Sequence, residues 1–501
     1  MKSHLTTKTA VSLAVLLSIA VTLSAQQSKY EQYYTDLPVE IEHVQPVQFP
    51  ATTVLLSNYG AIGDGETLCT EAFRAAIKDL EKQGGGHLIV PKGVWKTGPI
   101  VLKSNIDLHL NRGAVIRFSE DKSLYVIPSS SGKEKTKADA CIKASKCENV
   151  GITGKGILDG QGFYWRPIKK KKVMKDPAGK EIWESALALG GVVKDDIWYP
   201  FNLNNGIPNI ASNADDQEKM RSHLINITDS KNVIVQGVTI TNSPKFHLVP
   251  TRCQNLIIDG VTVDCPWWAQ NGDAMDIGNT QVCLVVNCNI NCGDDGICMK
   301  GGVGDRGRDA GPNRDFLIMN DTVYRAHGGF VIGSEFCGGM QRLIVRNCVF
   351  DGTDIGLRFK SAPGRGGWCE DIICQDIVMK QIRETAIFFE SGYADRAVGR
   401  SATATDDKSA YFPDWGNFTF RNIVCVSPME AVTITGLKGK PVHDLLFDNV
   451  QFYGVRSSGL TLKHAEKLTF RGCTLTGGDG NNIDRRSCKD IIWNGKNAME
   501  E

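Results

Sequence analysis

The sequence predicts an all-β protein whose short strands stack as a parallel β-solenoid. Two observations support this: a strand–break–strand motif recurs along the chain, and its spacing is nearly constant. Most steps between the first apolar residues of successive motifs are 23 to 29 residues long. A unit of that size cannot bury its apolar face alone and must stack on its neighbours. The motifs begin at Asn232, Asn255, Gln281, Asp315, Arg342, Asp371, Asn417, Asp444 and Lys467.

Other repeat folds fit less well. Leucine-rich repeats have a similar length, but their LxxLxL spacing and helix are missing here, and hexapeptide repeats are too short. The longer steps contain insertions rich in Gly and Asp at 301–314 and 393–416. Asn and Asp at the breaks are typical of left-handed corners and side-chain ladders.

The ends of a solenoid need caps, and the sequence predicts one near its start. Thr70 to Gln83 places Phe73, Ile77 and Leu80 on one helical face, and the run of glycines at 84–86 ends the helix. The insertion at 164–221 interrupts the repeat, is rich in Trp and contains four consecutive lysines. We expect it to form long loops over one face of the solenoid.

The first 25 residues have the pattern of a signal peptide. Two lysines precede an apolar stretch from Thr9 to Ala25, which ends in small residues suited to cleavage before Gln26. A membrane anchor is the weaker alternative, because the stretch is short and interrupted by hydroxyl side chains. The predicted organisation is a signal peptide at 1–25, an N-terminal extension at 26–50, and a catalytic solenoid at 51–501. An exported protein, periplasmic or secreted, follows from it.

The formal net charge of +1 gives no overall field that would favour nucleic acid, so an acidic partner must be recognised locally. All 16 cysteines follow the signal peptide. Five of them, Cys283, Cys288, Cys348, Cys374 and Cys473, fall within strand-like segments, where a thiol acts as a small apolar filler. Neither a CxxC pair nor a zinc-like cluster is present, so we expect mostly buried thiols, no metal and no cofactor.

Four short polar blocks lie close together between residues 271 and 360. They stand at similar positions within consecutive repeats, which places them on one face of adjacent coils roughly 5 Å apart. Singly, each block is more often turn chemistry or a solvated face than a site. Structural roles alone do not readily explain why all four blocks occur at similar positions in consecutive repeats. The blocks are Asn271-Gly272-Asp273, Gly293-Asp294-Asp295-Gly296, His327-Gly328-Gly329 and Arg358-Phe359-Lys360.

This grouping suits hydrolysis of a glycosidic bond. One carboxyl group protonates the leaving oxygen, and a second activates water or attacks the sugar. Ionising three carboxyl groups close together is energetically unfavourable, so the pKa of at least one of them is expected to rise. Arg358 and Lys360 alternate on a strand and face one side, where they would grip an anionic sugar.

Residues Asn271 to Lys360 resemble the polygalacturonase family, glycoside hydrolase family 28. The family's blocks Asn-Thr-Asp, Gly-Asp-Asp, Gly-His-Gly and Arg-Ile-Lys appear here in the same order. Further matches are Lys300-Gly301, Gly333-Ser334-Glu335, and the glycine-rich runs at 59–65 and 154–162. The resemblance implies a right-handed parallel β-helix and an inverting mechanism, with its two carboxyl groups about 6.5–9.5 Å apart.

The resemblance also implies roles for individual residues. Asp294 would be the general acid, Asp273 and Asp295 would hold and activate the water, and His327 would tune the acid. The residues expected to bind substrate are Arg358, Lys360, Asn271, Lys300 and Glu335. Where the family has Thr, Gly and Ile, this chain has Gly272, Ala326 and Phe359. Every titrating group is kept, but Gly272 and Phe359 are expected to alter the shape of the cleft.

The sequence therefore predicts an enzyme that cleaves α-linked galacturonic acid in pectin, an acidic plant polysaccharide. We expect exo action, since the insertion at 164–221 would close one end of the cleft. An endo-polygalacturonase and a rhamnogalacturonan hydrolase remain alternatives. A calcium-dependent pectate lyase and a non-catalytic polysaccharide-binding solenoid are alternatives of other classes. Neither nucleic acid nor, once the signal peptide is removed, a membrane is an expected partner.

Overall fold

The computed structural model describes residues 29–127, 137–166, 221–393 and 411–499, with short segments between 168 and 199. Its strands stack in parallel, coil upon coil, into a β-helix with three faces, which we call sheets 1, 2 and 3. The predicted fold class is confirmed. The predicted signal peptide at 1–25 and most of the insertion at 164–221 lie outside the described residues.

Sheet 1 carries most of the chemistry described below. Its twelve strands pair in parallel from one coil to the next. They are Ile100–Val101, Ile142–Ser145, Ile225–Thr228, Leu248–Thr251, Met275–Gly278, Asp295–Lys300, Gly328–Ser334, Ile355–Ser361, Thr385–Glu390, Glu430–Thr435, Leu460–Lys463 and Asn482–Ile483.

Sheets 2 and 3 join where long strands in the later coils bend from one face onto the next. Sheet 2 contains Thr53–Leu55, Gly86–Val90, Ile106–Leu110, Glu148–Gly154, Lys231–Gln236, Gln254–Asp259, Gln281–Val286, Asn313–Met319, Met340–Arg346, Cys369–Lys380, Phe418–Val426, Val442–Val455, Ala465–Arg471 and Lys489–Trp493. Sheet 3 contains Asp64–Leu68, Gly93–Thr97, Ala114–Phe118, Ile157–Asp159, Thr239–Thr241, Thr262–Asp264, Asn289–Asn291, Thr322–Tyr324, Val349–Asp351, Thr474–Gly477 and the ends of the three longest strands of sheet 2.

Left-handed residues turn the corners between sheets, as the Asn and Asp pattern predicts. Asn149, Asn232 and Asn255 have φ of 55°, 55° and 58° and stack on successive coils. The amide of Asn232 donates to Asn149 and that of Asn255 donates to Asn232, both at 2.9 Å. Each ladder satisfies polar groups that a tight corner would otherwise leave unpaired.

The interior of the helix is a continuous apolar column. Phe420, Phe447 and Phe470 stack with ring centroids 4.9 and 4.2 Å apart in the later coils. All 16 cysteines are buried and none is in a disulfide, which agrees with the expected thiol fillers. Cys288, Cys348 and Cys473 lie in turns between strands and not, as predicted, within them.

A helix at Thr70–Lys82 lies at the start of the solenoid, as predicted. Its buried face contains Phe73, Ile77 and Leu80. Tyr30, Tyr34 and nearby apolar residues from the stretch 29–50 pack against Ile257 and Leu284 on the outer surface of sheet 2. Within the described residues, no helix combines the length and the apolar character that crossing a bilayer requires.

Candidate active site

The polar blocks converge on sheet 1, as their phase within the repeats predicts. Asp295 begins one strand, His327 immediately precedes the next, and Arg358 and Lys360 lie in the one after that. Asp295 is in register with Gly328, and Val331 with Arg358. Parallel pairing therefore brings side chains that are far apart in sequence within one or two coils of each other.

Three carboxyl groups, from Asp273, Asp294 and Asp295, form what we call the carboxylate cluster. One oxygen from each lies within 4.8 Å of the others. These oxygen–oxygen distances are shorter than the 6.5–9.5 Å that the inverting mechanism predicts between whole carboxyl groups. Asp294 and Asp295 are sequence neighbours and Asp273 is one coil earlier, so the rise between coils, about 4.8 Å, limits their separation.

His327 contacts the cluster through Asp294. Its Nδ1 is 3.0 Å from Asp294 Oδ1, and its Nε2 is 4.0 Å from Asp354 Oδ2. Burial opposes protonation of His327, but the hydrogen bond to Asp294 and the nearby carboxylates outweigh it and raise the pKa of the imidazole. Burial likewise opposes ionisation of Asp294, and the contact with His327 nevertheless lowers its pKa.

Arg358 and Lys360 point away from the core and contact the cluster through Asp295. Nζ of Lys360 lies 2.6 Å from one oxygen of that carboxylate, and a guanidinium nitrogen of Arg358 lies 3.0 Å from the other. These cations overcome the effect of burial and lower the pKa of Asp295. Both are also within 6 Å of the Tyr393 ring centroid, at 5.7 and 5.2 Å.

Asp273 and Asp276 are buried carboxyl groups with higher pKa values. Burial, reinforced by Asp276 and the rest of the cluster, raises the pKa of Asp273 well above its usual range. Burial also raises the pKa of Asp276 to about 6, although Lys300 opposes this. One oxygen of each carboxyl group has no hydrogen-bond partner among the described residues. The pKa directions thus favour the neutral form more for Asp273 than for Asp294 or Asp295.

A cleft of about 920 Å³ lies over these groups. One wall includes Lys300 and Glu335, and the Glu335 carboxylate lies 3.7 Å from Lys300 and 3.7 Å from Arg365. The short helix Gly304–Asp309, from the insertion at 301–314, contributes Arg306 to the rim. The arrangement suits an anionic ligand, because cations stand beside the carboxylates at the floor.

Both described ends of the insertion at 164–221 reach this cleft. Arg166 lines it, and Arg221 donates to the side-chain oxygen of Asn271 at 2.8 Å. The predicted substrate contact Asn271 therefore holds the insertion end in the structure, while also lining the cleft. The second long insertion behaves similarly, since Tyr393 at its start lines the same cleft.

Two expectations about cleft shape have different outcomes. Phe359 does not alter the cleft as predicted, because it points into the core and packs 4.5 Å from Phe389 and 4.8 Å from Phe418, centroid to centroid. Gly272 does lie beside the site, where an added Cβ would meet the Ala269 carbonyl oxygen at 2.7 Å. Glycine thus permits a close backbone approach there.

All nine residues predicted for the site lie in or directly beside the cleft. Sequence reasoning missed others, namely Asp276, Asp354, Arg365, Arg383, Tyr393, Trp267 and Trp268. Asp276 left one signal, an Asp inside an otherwise apolar strand Met275–Gly278. The remaining residues stand in turns and insertions outside the recurring blocks.

The fold and the site define a β-helical enzyme that acts on carbohydrate. Residues 206–472, more than half of the chain, match the model of the glycosyl hydrolases family 28. The chain belongs to this family and is a glycoside hydrolase.

Similar proteins include an exo-poly-α-D-galacturonosidase from Dickeya chrysanthemi, 27% identical over 81% of this chain and 68% of that protein. A hyperthermoactive exopolygalacturonase from Thermotoga maritima has a similar structure, with a TM-score of 0.67 and 29% identity over 93% of this chain and 96% of that one. A family 28 exopolygalacturonase from Yersinia enterocolitica shares the fold, with a TM-score of 0.72 and 23% identity over 89% of this chain and 79% of that one.

Proposed function

We propose that this enzyme hydrolyses α-linked galacturonic acid in pectin-type polymers, releasing single sugars from the chain end. The observation that carries the proposal is the carboxylate cluster with cations directly beside it in one cleft. Carboxyl groups supply the acid and base of glycoside hydrolysis, and cations recognise a uronic acid. The exopolygalacturonases among the similar proteins support this substrate.

In the proposed mechanism, Asp294 gives a proton to the leaving oxygen. The lowered pKa of Asp294 favours its ionised form in the free protein, and His327 Nδ1, 3.0 Å away, is placed to supply it with a proton. Entry of an anionic sugar favours the neutral form of a nearby carboxyl group, since like charges disfavour its ionisation. The proton then moves from His327 to Asp294, and from Asp294 to the glycosidic oxygen.

Asp273 and Asp295 would hold the attacking water, and Asp295, the carboxylate with the lowered pKa, would take its proton as the water oxygen bonds to the anomeric carbon and the glycosidic bond breaks. A water within hydrogen-bond distance of two oxygens, about 2.8 Å from each, can bridge carboxylates up to roughly 5.5 Å apart. The separation below 4.8 Å therefore leaves room for one bridging water. A spacing this short is also typical of retaining enzymes. The anomer released first distinguishes an inverting from a retaining mechanism, and we propose inversion.

A calcium-dependent lyase would use the same fold with other chemistry. The carboxylate cluster has enough oxygens for a cation. However, both oxygens of Asp295 already contact Arg358 and Lys360, and Asp294 contacts His327. Calcium would have to displace these protein cations, so the charges of the site favour hydrolysis without a metal.

The position of the insertions supports exo action. Arg166 and Arg221 bring the ends of the first insertion to the side of the cleft nearest the earlier coils. Tyr393 and Arg306 bring two further insertions to its rim. We propose that these insertions limit the cleft to one terminal sugar, since loops on a rigid scaffold commonly shape the substrate site. We also propose that residues 1–25 direct export of the enzyme, because its polymeric substrate is accessible outside the cytoplasm.

A product time course tests this function. The enzyme is incubated separately with polygalacturonate, its methyl ester and rhamnogalacturonan, and proton NMR follows the first product. We expect rapid release of the β-anomer of galacturonic acid from the free acid and far slower cleavage of the ester. Equal rates on acid and ester would contradict recognition by cations. Initial α-anomer would establish retention, and unsaturated products that disappear with a chelator would establish a lyase.

A further inference from the structure

A second depression lies beside the cleft, along the corner between sheets 3 and 1. It has a volume of about 740 Å³, and its walls contain Arg325, Arg383 and Arg456. We call it the arginine groove. Arg325 and Arg383 also line the catalytic cleft, so the two depressions are continuous.

The groove follows the axis of the β-helix. Tyr324, Asp351, Lys380, Val426 and Tyr453 are in register on five successive coils, and each immediately precedes a corner. Five coils spaced about 4.8 Å apart span roughly 19 Å. The groove is therefore elongated and starts at the corner that also holds the site histidine.

Its charge suits an anionic polymer. Asp351 is the one carboxylate among its described lining residues, against three guanidinium groups. Arg325 is exposed and makes no side-chain hydrogen bond or ion pair with any described residue. Arg456 donates to the carbonyls of Ile382 and Arg383 at 3.0 and 3.4 Å, and its side chain remains exposed. Cations that the fold leaves available can bind substrate carboxylates.

An aromatic ring completes the groove. Tyr324 is 46% exposed at its floor, although the strand that carries it is otherwise part of a packed sheet. A flat ring with an exposed apolar face stacks on the faces of sugar rings, and its hydroxyl group bonds to theirs. Arginines beside an exposed tyrosine suit a chain of sugar acids better than a simple counter-ion, because a counter-ion has no ring face to stack on the tyrosine.

We propose that the arginine groove binds the part of a polygalacturonate chain that extends beyond the scissile bond. This rests on the proposed function. His327, the partner of the proposed acid, lies one coil after Asp294 and two residues after Arg325, which places the leaving group on the groove side. The described ends of the insertion at 164–221 lie on the side of the earlier coils, and the proposed exo action puts the chain end there. One sugar thus occupies the cleft, and the remaining chain lies along the groove.

The test compares substrates of different length. The double variant Arg325→Gln/Arg456→Gln is assayed on digalacturonate and on long polygalacturonate. We expect its KM to rise about fivefold for the polymer, with a smaller rise for the dimer, since only the polymer reaches both arginines. The matched control is Arg485→Gln/Arg486→Gln, which removes two exposed arginines beyond the strand Asn482–Ile483. It should show the wild-type dependence on chain length.

Calorimetry with Asp294→Asn protein separates failure of the groove from failure of the proposed function. The affinity of this variant for long polygalacturonate should exceed that for the dimer, and adding the two groove substitutions should remove the difference. Equal losses on dimer and polymer, or no loss on either, would overturn the groove. If wild-type protein releases no galacturonic acid while the length-dependent binding persists, the hydrolytic function fails and the groove stands.

Discussion

Asp294 and Asp295 are neighbours in sequence but have different partners in the cleft. Asp295 contacts two permanent cations, whereas Asp294 contacts a titrating histidine. A carboxylate fixed by Lys360 and Arg358 stays ionised, and one paired with His327 can gain a proton. The two carboxyl groups thus have partners that suit the roles proposed for them, a difference that the Asp-Asp pair alone does not reveal.

Replacing Asp294 by Asn tests this division. Asn cannot protonate the leaving oxygen, so kcat on polygalacturonate should fall by about two to four orders of magnitude. Thermal unfolding should change little, since the amide can still accept a hydrogen bond from His327. Asp479→Asn, on an exposed turn of a distant coil, is the control and should keep wild-type kcat. Activity above a few per cent of wild type would assign the acid to another residue.

A second prediction concerns Asp321, a buried carboxyl group at a corner away from the cleft. Burial raises its pKa to about 7, although the hydrogen bond from the Cys288 N–H, at 2.7 Å, opposes this. In the unfolded chain the pKa is about 3.9. Between these values the folded protein binds a proton that the unfolded chain has released. Stability from this group is therefore full below about pH 4 and falls as pH rises through about 7.

Asp321→Asn should remove that pH dependence, because the amide is neutral throughout. We expect the variant and the wild type to unfold at similar denaturant concentrations near pH 4, and the variant to be more stable at pH 8. Asp479→Asn again serves as the control, since its side chain is exposed. If Asp321→Asn and the wild type lose the same stability between pH 4 and pH 8, burial does not raise the pKa of Asp321 in the fold.

Much of the residue arrangement could be predicted because a solenoid converts phase in sequence into proximity in space. Asp273, Asp294 and His327 lie in consecutive repeats, and their convergence follows from the period. Arg365 and Tyr393 could not be placed this way, because Arg365 lies in a turn between strands and Tyr393 at the start of an insertion, where the recurring pattern gives no phase. The role of Asn271 in holding Arg221 depends on where an insertion ends, which no local pattern encodes.

At the scale of the element, the corners show how sequence sets register. Asn232 bonds Asn149 on the preceding coil and Asn255 on the following one. Its φ of 55° is a conformation that Asn and Gly adopt more readily than Ala. The side chain therefore contributes through two hydrogen bonds, and the backbone through tolerance of the left-handed region.

Two substitutions at Asn232 separate these contributions. Asn232→Gly loses the hydrogen bonds and keeps the conformation, and we expect it to lower the free energy of unfolding by about 1–3 kcal/mol. Asn232→Ala should cost about 1–2 kcal/mol more, because it also strains the corner. Denaturant unfolding of both variants gives the comparison. Equal stability of the Ala and Gly variants would show that the corner conformation is not limiting.

At the scale of the whole molecule, the regular coils supply a rigid sheet and the irregular segments shape the substrate site. The insertions at 164–221, 301–314 and 393–416 all have described ends or residues at one cleft. A repeat pattern predicts that such segments leave the solenoid, but not where they fold back. Their common position at the cleft is visible only in the three-dimensional structure. It bears directly on whether the enzyme attacks chain ends or internal bonds.

The last prediction is that attack occurs at the chain end. If the insertions wall one end of the cleft, only a terminal galacturonate fits past the carboxylates, and the polymer leaves along the arginine groove. Chromatography of products from polygalacturonate should then show monomer alone from the first minutes, while viscosity falls slowly. Polygalacturonate that has been chemically reduced at its reducing end should be cleaved at the same rate as untreated polymer, since the closed end of the cleft binds the non-reducing end. An endo enzyme run in parallel is the control and should give a ladder of oligomers with rapid loss of viscosity. The same ladder from this protein would mean that the cleft is open at both ends.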